Sequence, residues 1–579
     1  MASRGREAVC RIRQAVPVQS PAQVLLEAVS DLLELTRHAA FPLASASAWA
    51  AERDRRELLG QLEDYLLPRL RRLDAPLLAV VGGSTGAGKS TLINSLIGAD
   101  VSAAGVLRPT TRGPVCICHP ADAGWFTDGR ILPGLPRTSG PGDLGGLRIV
   151  LHPGVGPGLA LLDAPDIDSV VSANRELAGT LLAAADLWVF LTTAARYADA
   201  VPWQLLHTAR ERGTAIAVVL DRCPPAAMND VGGHLAAMLT ARGLGGAPLF
   251  VVPEVPLVDG RLGEPAIAPI RTWLTGLTAD AGARAAVVRH TLDGALASLA
   301  PRTQALAAAA DEQQAVRGQL ESCVSASYGT ALGRVDEAIR DGALLRGEVL
   351  ARWQDVVGTG ELLRRLESRI GRLRDRITAA VTGRGGPIDE LEEALESGLV
   401  TVVRAATEDA AESAYACWAR HPGGAPLLVD ELARPAAGLG ERVETLVRDW
   451  QGYVLELVRT EGASKRSGAR IASYGVNGAG LVVMLAVFAQ TGGVTGAEFA
   501  VAGGTSVASQ KVLEAMFGEQ AVRGLARQAR EELLSQVEAL LARDAARYAD
   551  VLGAGVGPVE GGQLRAAVER VASAVAAHR

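Results

Sequence analysis

The sequence predicts a doubly wound α/β domain with a mostly parallel sheet, joined to a large all-α bundle or stalk built from N- and C-terminal segments. Three observations predict it. A short apolar run at Leu77–Val81 leads into a glycine-rich loop and then a helical pattern that stops at Gly98. From residue 76 to 278, strand-like apolar runs alternate with helical patterns. Beyond about residue 280 strand patterns largely vanish, and long Ala-rich helical patterns replace them.

The elements follow in order. Residues 1–20 are polar and Arg-rich, lack the apolar stretch of a secretory signal, and are expected to be disordered. Residues 21–75 carry leucines at helical spacing (Leu25, Leu32, Leu33, Leu35, then Leu58, Leu59, Leu62, Leu66, Leu67). These helices precede the first strand and are expected to pack on the stalk. Within 76–278, strands are expected at 77–81, 115–118, 147–151, 159–162, 186–191, 215–220 and 249–252. Helices are expected at 172–184, 203–212 and 230–242, and the Gly/Pro-rich stretch 121–146 as a surface insertion. The segment 279–470 is the expected stalk, with helices at 343–378, 388–420 and 437–460. Residues 471–510 are expected to form an apolar, Gly-rich hairpin, and 511–579 to return as C-terminal stalk helices, with long helical patterns over 519–577.

Composition bounds the partners. The 579 residues carry a net charge of −6 and a pI near 5.9, so no global field draws the chain to nucleic acid, and none is expected as a partner. Six cysteines in this length do not make a disulfide framework; Cys10, Cys323 and Cys417 stand isolated, and a cytoplasmic location is expected. Cys116 and Cys118 alternate on a short apolar strand, so they face one side and belong to a core rather than to a zinc site with His119.

The chemistry is carried by Gly83-Ser84-Thr85-Gly86-Ala87-Gly88-Lys89-Ser90-Thr91, which fits the phosphate-loop pattern G-x-x-x-x-G-K-[ST]. Its glycines let successive backbone N–H groups converge on one point, where the start of the following helix adds partial positive charge. Of 58 Lys and Arg residues only three are lysines (Lys89, Lys465, Lys511), so a lysine at this position is there for a reason. Lys89 is expected to reach the β and γ phosphates, and the Ser90 hydroxyl to bind Mg²⁺. Asp163, closing the apolar strand Leu159–Leu162, places a carboxylate at the C-terminal edge of the sheet, where it can hold Mg²⁺ through water. The loop Arg108-Pro109-Thr110-Thr111-Arg112 offers a threonine to close over the γ-phosphate and complete the metal shell.

Taken together, Gly-x-Thr-Gly-Ala-Gly-Lys-Ser-Thr, Arg-Pro-Thr-Thr-Arg and Leu-Asp-Ala-Pro-Asp resemble the Era-like and dynamin-like branches of the translation-factor-related GTPases. The resemblance covers roughly residues 76–275 by motif and the rest by architecture. It implies a GTP-hydrolysing switch with Mg²⁺, in which Lys89 and Thr111 serve catalysis and Ser90, Thr111 and Asp163 hold the metal. Thr111 matches the switch-I threonine and Asp163 the aspartate of D-x-x-G. The glycine of that motif is Asp166 here, whose backbone N–H can still face the γ-phosphate. Where the guanine-reading N/T-K-x-D motif is due stands Asp221-Arg222-Cys223-Pro224, with proline in place of the base-reading aspartate. Asp221 and Arg222 are the base-side candidates, and ATP stays open beside GTP. The loop positions that carry polar catalytic residues in dynamin-like proteins are Thr85 and Gly86, and no glutamine is placed to orient water, so slow hydrolysis is expected without activation. Arg196, after a strand end, is either an arginine supplied to the site or part of a salt-bridged loop with Asp199.

Two further segments bear on partners. Ile471–Gln490 has no charge, is flanked by Lys465, Arg466 and Arg470, and is followed by a weaker apolar stretch up to Lys511. It is either a membrane-inserting tip, shallow or re-entrant, or a helical hairpin buried in a bundle. Leu362–Ile377 is amphipathic, with an arginine line at 365, 369, 372 and 376 that meets either anionic lipid or solvent. The resemblance implies self-association as a dimer or oligomer, lipid contact through 471–510, a second paralogous GTPase as partner, and a place at the inner face of the cell membrane. The alternatives are a soluble Era-like regulator of ribosome assembly or signalling, and an ATP-binding or non-hydrolysing nucleotide-gated scaffold.

Overall fold

The computed structural model describes residues 20–102, 113–129, 131–138, 146–166, 172–340, 387–463, 483, 484, 487, 519–553 and 559–578. Thr111 and its loop, the arginine line of 362–377, and most of 471–510 lie outside the described residues. The chain divides into two compact units. The first holds the described residues of Met1–Phe41, Ser47–Glu312 and Gly557–Arg579, the second Pro42–Ala46 and Gln313–Val556.

An eight-stranded sheet organises the first unit, in the order β3-β4-β2-β5-β1-β6-β7-β8. The strands are β1 Leu77–Gly83, β2 Val115–Cys118, β3 Arg137–Thr138, β4 Leu147–Leu151, β5 Leu159–Asp163, β6 Leu187–Thr193, β7 Ala215–Cys223 and β8 Leu249–Pro253. Every pairing is parallel except β2 with β5, which is antiparallel. Each residue of β1 is buried, as a continuous apolar run at the centre of a parallel sheet requires. Its alternation feeds two cores: Leu78 and Val80 pack on one face of the sheet, Leu77, Ala79 and Val81 on the other. Cys116 and Cys118 share the first face, in the apolar core as expected.

A third core in the same unit is purely helical. It joins α1 (Pro21–His38), α2 (Ala48–Gly60), the π-helical turn Gln61–Leu66, α3 (Leu67–Arg71), residues 292–310 and the chain's last helix, Gly561–His578. This differs from the expected boundary at 278/279: residues 279–312 and 557–579, expected in the stalk, belong with the α/β unit because their leucines and alanines close this helical core. One polar node ties it to the sheet. The Asp186 carboxylate, fully buried, accepts from the Leu78 backbone N–H at 2.8 Å and from the Arg69 guanidinium. Arg69 also donates to the carbonyls of Ala75 (2.8 Å) and Pro76 (3.2 Å). Thr291 donates to the Asp186 carbonyl at 2.7 Å and accepts from the Ala215 N–H at 2.9 Å.

The remaining elements of this unit are α4 (Lys89–Ile97), α5 (Ala123–Thr127), α6 (Ser172–Ala183), α7 (Ala200–Glu211), α8 (Met228–Ala241), α9 (Glu264–Ala279) and the start of α10 (Ala281–Arg340). The stretch 121–146 is more than a surface insertion. It holds α5 and the edge strand β3, and Phe126 and Leu132 are buried in the sheet's core. Arg137 fastens it by donating to the carbonyls of Phe126 (2.8 Å), Leu132 (3.0 Å) and Leu135 (2.6 Å). Gly and Pro content masked these two apolar anchors.

The second unit is a helical bundle of residues 313–340, α11 (Pro387–Arg420), α12 (Leu439–Ala463) and α13 (Glu519–Gly553). Trp418, Trp450 and Tyr548 fill its core, and each polar tip is satisfied: Trp418 by the Leu320 carbonyl (3.0 Å), Trp450 by Ala529 (2.7 Å), Tyr548 by Leu432 (3.0 Å). Of the apolar segment 471–510, only Val483, Met484 and Val487 are described, and all three are buried in this core. Among the described residues no helix is long and apolar enough to cross a membrane. The stretch 519–577 holds two helices, α13 and α14 (Gly561–His578). One expectation is corrected. Cys323 and Cys417 are not isolated but disulfide-bonded; 94 residues apart in sequence, they meet because α10 and α11 pack side by side. This pairing removes cysteine usage as an argument about compartment.

Two stability predictions follow from buried charge. Arg69→Ala strands the Asp186 carboxylate, so the full chain should lose about 3–5 kcal/mol in denaturant unfolding of this unit; a loss under about 1 kcal/mol would contradict the node. Burial, with a smaller contribution from Glu63, pushes the Asp64 carboxyl from 3.8 up to about 6. The folded state therefore holds this proton more tightly than the unfolded chain, so stability from this group is gained as pH falls from about 6 towards 4. Asp64→Asn should raise stability at pH 7.5 by about 1–3 kcal/mol, with the difference from wild type closing below pH 4 in paired thermal melts.

Candidate phosphate-binding site

The loop between β1 and α4 is shaped by close packing. A Cβ on Gly83 would lie 2.0 Å from the Leu191 carbonyl oxygen of β6, so only glycine lets the two strand ends approach this far. Gly86 (φ 75°) and Gly88 (φ 96°) take left-handed conformations, and the Ala87 N–H bonds back to the Ser84 carbonyl at 3.1 Å. Gly88 is the N-cap of α4 and supplies no side-chain acceptor to the helix's first N–H groups. Gly83, Ser84, Thr85, Gly86, Ala87 and Gly88 form the turn that joins β1 to the start of α4.

Lys89 is buried, and its ammonium has three acceptors: Gly83 O at 2.9 Å, Ser84 O at 3.2 Å and Asp166 Oδ1 at 2.5 Å. Ser90 Oγ donates to Asp163 Oδ2 at 2.6 Å, and Ser102 Oγ donates to the same oxygen at 2.5 Å. Asp163 sits at the C-terminal end of β5, paired in register with Val81 beside the loop. It is fully buried, and its Oδ1 has no hydrogen-bond partner among the described residues. Burial raises this carboxyl above the ordinary range, and the Ser102 and Ser90 hydroxyls and the Lys89 charge oppose that only in part. A buried hydroxyl–carboxylate pair with one oxygen to spare, beside the loop that carries an ammonium, suits a hard divalent cation sharing its remaining ligands with phosphate and water. Among the described residues no cluster of three or more His, Cys, Asp and Glu offers a rival metal site.

Residues that the sequence left unmarked hold this arrangement. Asn94 on α4 accepts through Oδ1 from the N–H groups of Val101 (3.0 Å) and Ser102 (2.9 Å) and donates to the Ser102 carbonyl (2.8 Å). It thereby brings Ser102 to Asp163. Nothing in the local pattern marks Asn94 or Ser102, since their roles exist only once α4 and β5 are adjacent. Arg196 pairs with Asp199 at 2.9 Å, the salt-bridged alternative, and also donates to the Thr85 carbonyl at 3.2 Å. Thr91 lies half-buried in the first turn of α4, its carbonyl accepting from Ser95.

Asp221 and Arg222 end β7. Asp221 is buried, and its Oδ2 lies 2.8 Å from where a Cβ on Gly88 would stand, so the carboxylate is pressed against the loop. Its Oδ1 has no hydrogen-bond partner among the described residues. Burial raises this carboxyl, opposed by a bond from the Arg222 backbone and by the Arg222 charge. Arg222 has φ 53° and an exposed guanidinium 4.0 Å from Asp221. Asp166 departs from expectation: its side chain, not only its backbone, enters the site, because the ammonium of Lys89 offers the nearest countercharge.

No protein-family model matches the chain, and no curated protein sequence does. Solved structures of an oligomerised bacterial dynamin pair, described as providing a mechanism for long-range sensing and tethering of membranes, align over 95% of this chain. One aligns at 10% identity, 94% of its own length and a TM-score of 0.38, another at 11%, 95% and 0.40. The LeoA bacterial dynamin GTPase from ETEC aligns over 96% of this chain and 98% of its own at 11% identity and a TM-score of 0.23. At these values the similarity defines neither activity nor partner.

Asp163→Asn keeps an acceptor for both serines and removes the charge. The protein without Mg²⁺ should melt at the same or a higher temperature, while the Mg²⁺-dependent part of any nucleotide-induced rise in melting temperature should be lost. An undiminished Mg²⁺ effect would place the metal elsewhere.

Proposed function

We propose that this chain is a nucleotide-dependent switch that binds and hydrolyses GTP with Mg²⁺, a dynamin-like GTPase in which nucleotide state is coupled to self-association and membrane contact. The observation that carries the nucleotide reading is the Ser90–Asp163 hydrogen bond at 2.6 Å, formed beside Lys89 at the start of α4. Backbone N–H groups of Gly83–Gly88 would hold the phosphate chain, and Lys89 would meet its terminal oxygens. Ser90 and Asp163 would hold Mg²⁺, with Thr111 as a further ligand; when bound, the ion neutralises charge on the phosphate oxygens. Asp221 Oδ1 is an acceptor for a base amine or imino N–H, which guanine offers twice and adenine once. No glutamine lies in residues 164–203 after Asp163 or in the loop, so hydrolysis is slow until a partner or second copy orders the attacking water.

Coupling to association requires the dimer or membrane-bound form to prefer one nucleotide state. Support for lipid contact is the uncharged sequence of 471–490; the burial of Val483, Met484 and Val487 supports the buried-hairpin alternative. A second reading, a nucleotide-gated scaffold that does not hydrolyse, is favoured by Pro224 and by the Asp166 side chain on Lys89. A second GTPase as partner is part of the same proposal, tested by co-purification.

Purified full-length protein should release phosphate from GTP in a Mg²⁺-dependent manner, and Lys89→Ala should weaken nucleotide binding by about 10- to 100-fold. GTP should outcompete ATP in equilibrium binding. Equal competition would sink guanine preference. Tight binding without turnover, with and without liposomes, would establish the scaffold.

A further inference from the structure

The Lys89 ammonium has three N–H donors, and all three have acceptors within the protein. Two are carbonyls of its own loop, at Gly83 and Ser84, held in place where Gly83 packs against the Leu191 backbone. The third is a full negative charge from a different segment, the Asp166 carboxylate, which follows β5 and is 28% exposed. For Lys89 to bond a phosphate oxygen, one acceptor has to leave. The loop carbonyls cannot withdraw without distorting the end of β1. Asp166 can, because its side chain is partly in solvent and has no other hydrogen bond among the described residues.

Resting on the nucleotide reading above, we infer that Asp166 determines which phosphate chain the site retains. Its carboxylate is an internal counter-ion on Lys89, on the Asp163 side of the loop, where the terminal phosphate of a triphosphate would come. A diphosphate brings only its β-phosphate to Lys89, so the Asp166 carboxylate can shift aside while staying near the ammonium. A triphosphate must break that pair and then keep its own terminal charge beside a displaced carboxylate of the same sign. The site therefore favours the diphosphate, and the third phosphate is accepted only at the expense of moving the segment that carries Asp166. Removing the charge at this one position should shift the preference to the triphosphate.

The test uses the full-length protein in Mg²⁺ buffer, with GDP and guanosine 5′-(β,γ-imido)triphosphate, and with pyrophosphate and tripolyphosphate as base-free competitors. Wild type should bind the two-phosphate member of each pair more tightly. Asp166→Asn and Asp166→Ala, substitutions at a partly exposed position that spare the core, should tighten the three-phosphate member by about 10-fold and change the two-phosphate member by less than about 3-fold. Lys89→Ala should abolish the difference between wild type and both variants. Unchanged ratios in both Asp166 variants, with binding still dependent on Lys89, would overturn the inference and leave the nucleotide reading intact. If neither wild type nor the variants bind any of the four probes, the nucleotide reading fails and the inference with it.

Discussion

The geometry of this molecule depends on one buried carboxylate. Asp186 stands at the start of β6 and accepts from the backbone of β1 and from Arg69 of the N-terminal helices, while its carbonyl accepts from Thr291 of α10. A carboxylate with no solvent exposure is tolerated only where partners replace its water. Burial raises the Asp186 carboxyl, and Arg69 is the principal force against that rise. Three chain segments are thereby committed to one point, and β1 emerges from that point with its C-terminal end aimed at the phosphate loop. The helices before the sheet are thus part of what positions the loop.

The site gathers charge of both signs. Asp166 pairs with the buried Lys89 ammonium, Asp163 and Asp221 flank the loop, and Arg196 and Arg222 lie at its edges. Such a cluster receives a polyanion only if cations accompany it or if carboxylates withdraw. Of the three carboxylates, Asp163 and Asp221 are buried and Asp166 is partly exposed. Asp163 and Asp221 each keep one carboxylate oxygen without a hydrogen-bond partner among the described residues.

Seven of the eight strands and the loop were legible because their signals are local; the two-residue edge strand β3 was not. A continuous apolar run makes a central strand, and glycines before a lysine make a cradle, whatever the rest of the chain does. Ser90 and Asp163 are hydrogen-bonded, since one starts a helix and the other ends a strand that the sheet brings to the same edge. What it missed is non-local. Ser102 matters only because Asn94 folds the chain back onto β5, and Asp166 enters by its side chain because Lys89 lies across from it. Phe126 and Leu132 hid in a glycine- and proline-rich stretch. The helical boundary was drawn too early because residues 292–310 resemble any other stalk helix until the last helix of the chain closes on them.

The bond between Cys323 and Cys417 changes what a broken backbone would mean. Residues 324–416 form a covalently closed ring, and the arginine-lined stretch 362–377 lies inside it. A nick anywhere in that ring separates the chain into two polypeptides that still travel as one molecule. Each piece would keep its share of α10 or α11, tethered at a common point, so reassembly of the bundle after such a cut would be a first-order process independent of protein concentration. Only reduction would turn the same nick into a true dissociation.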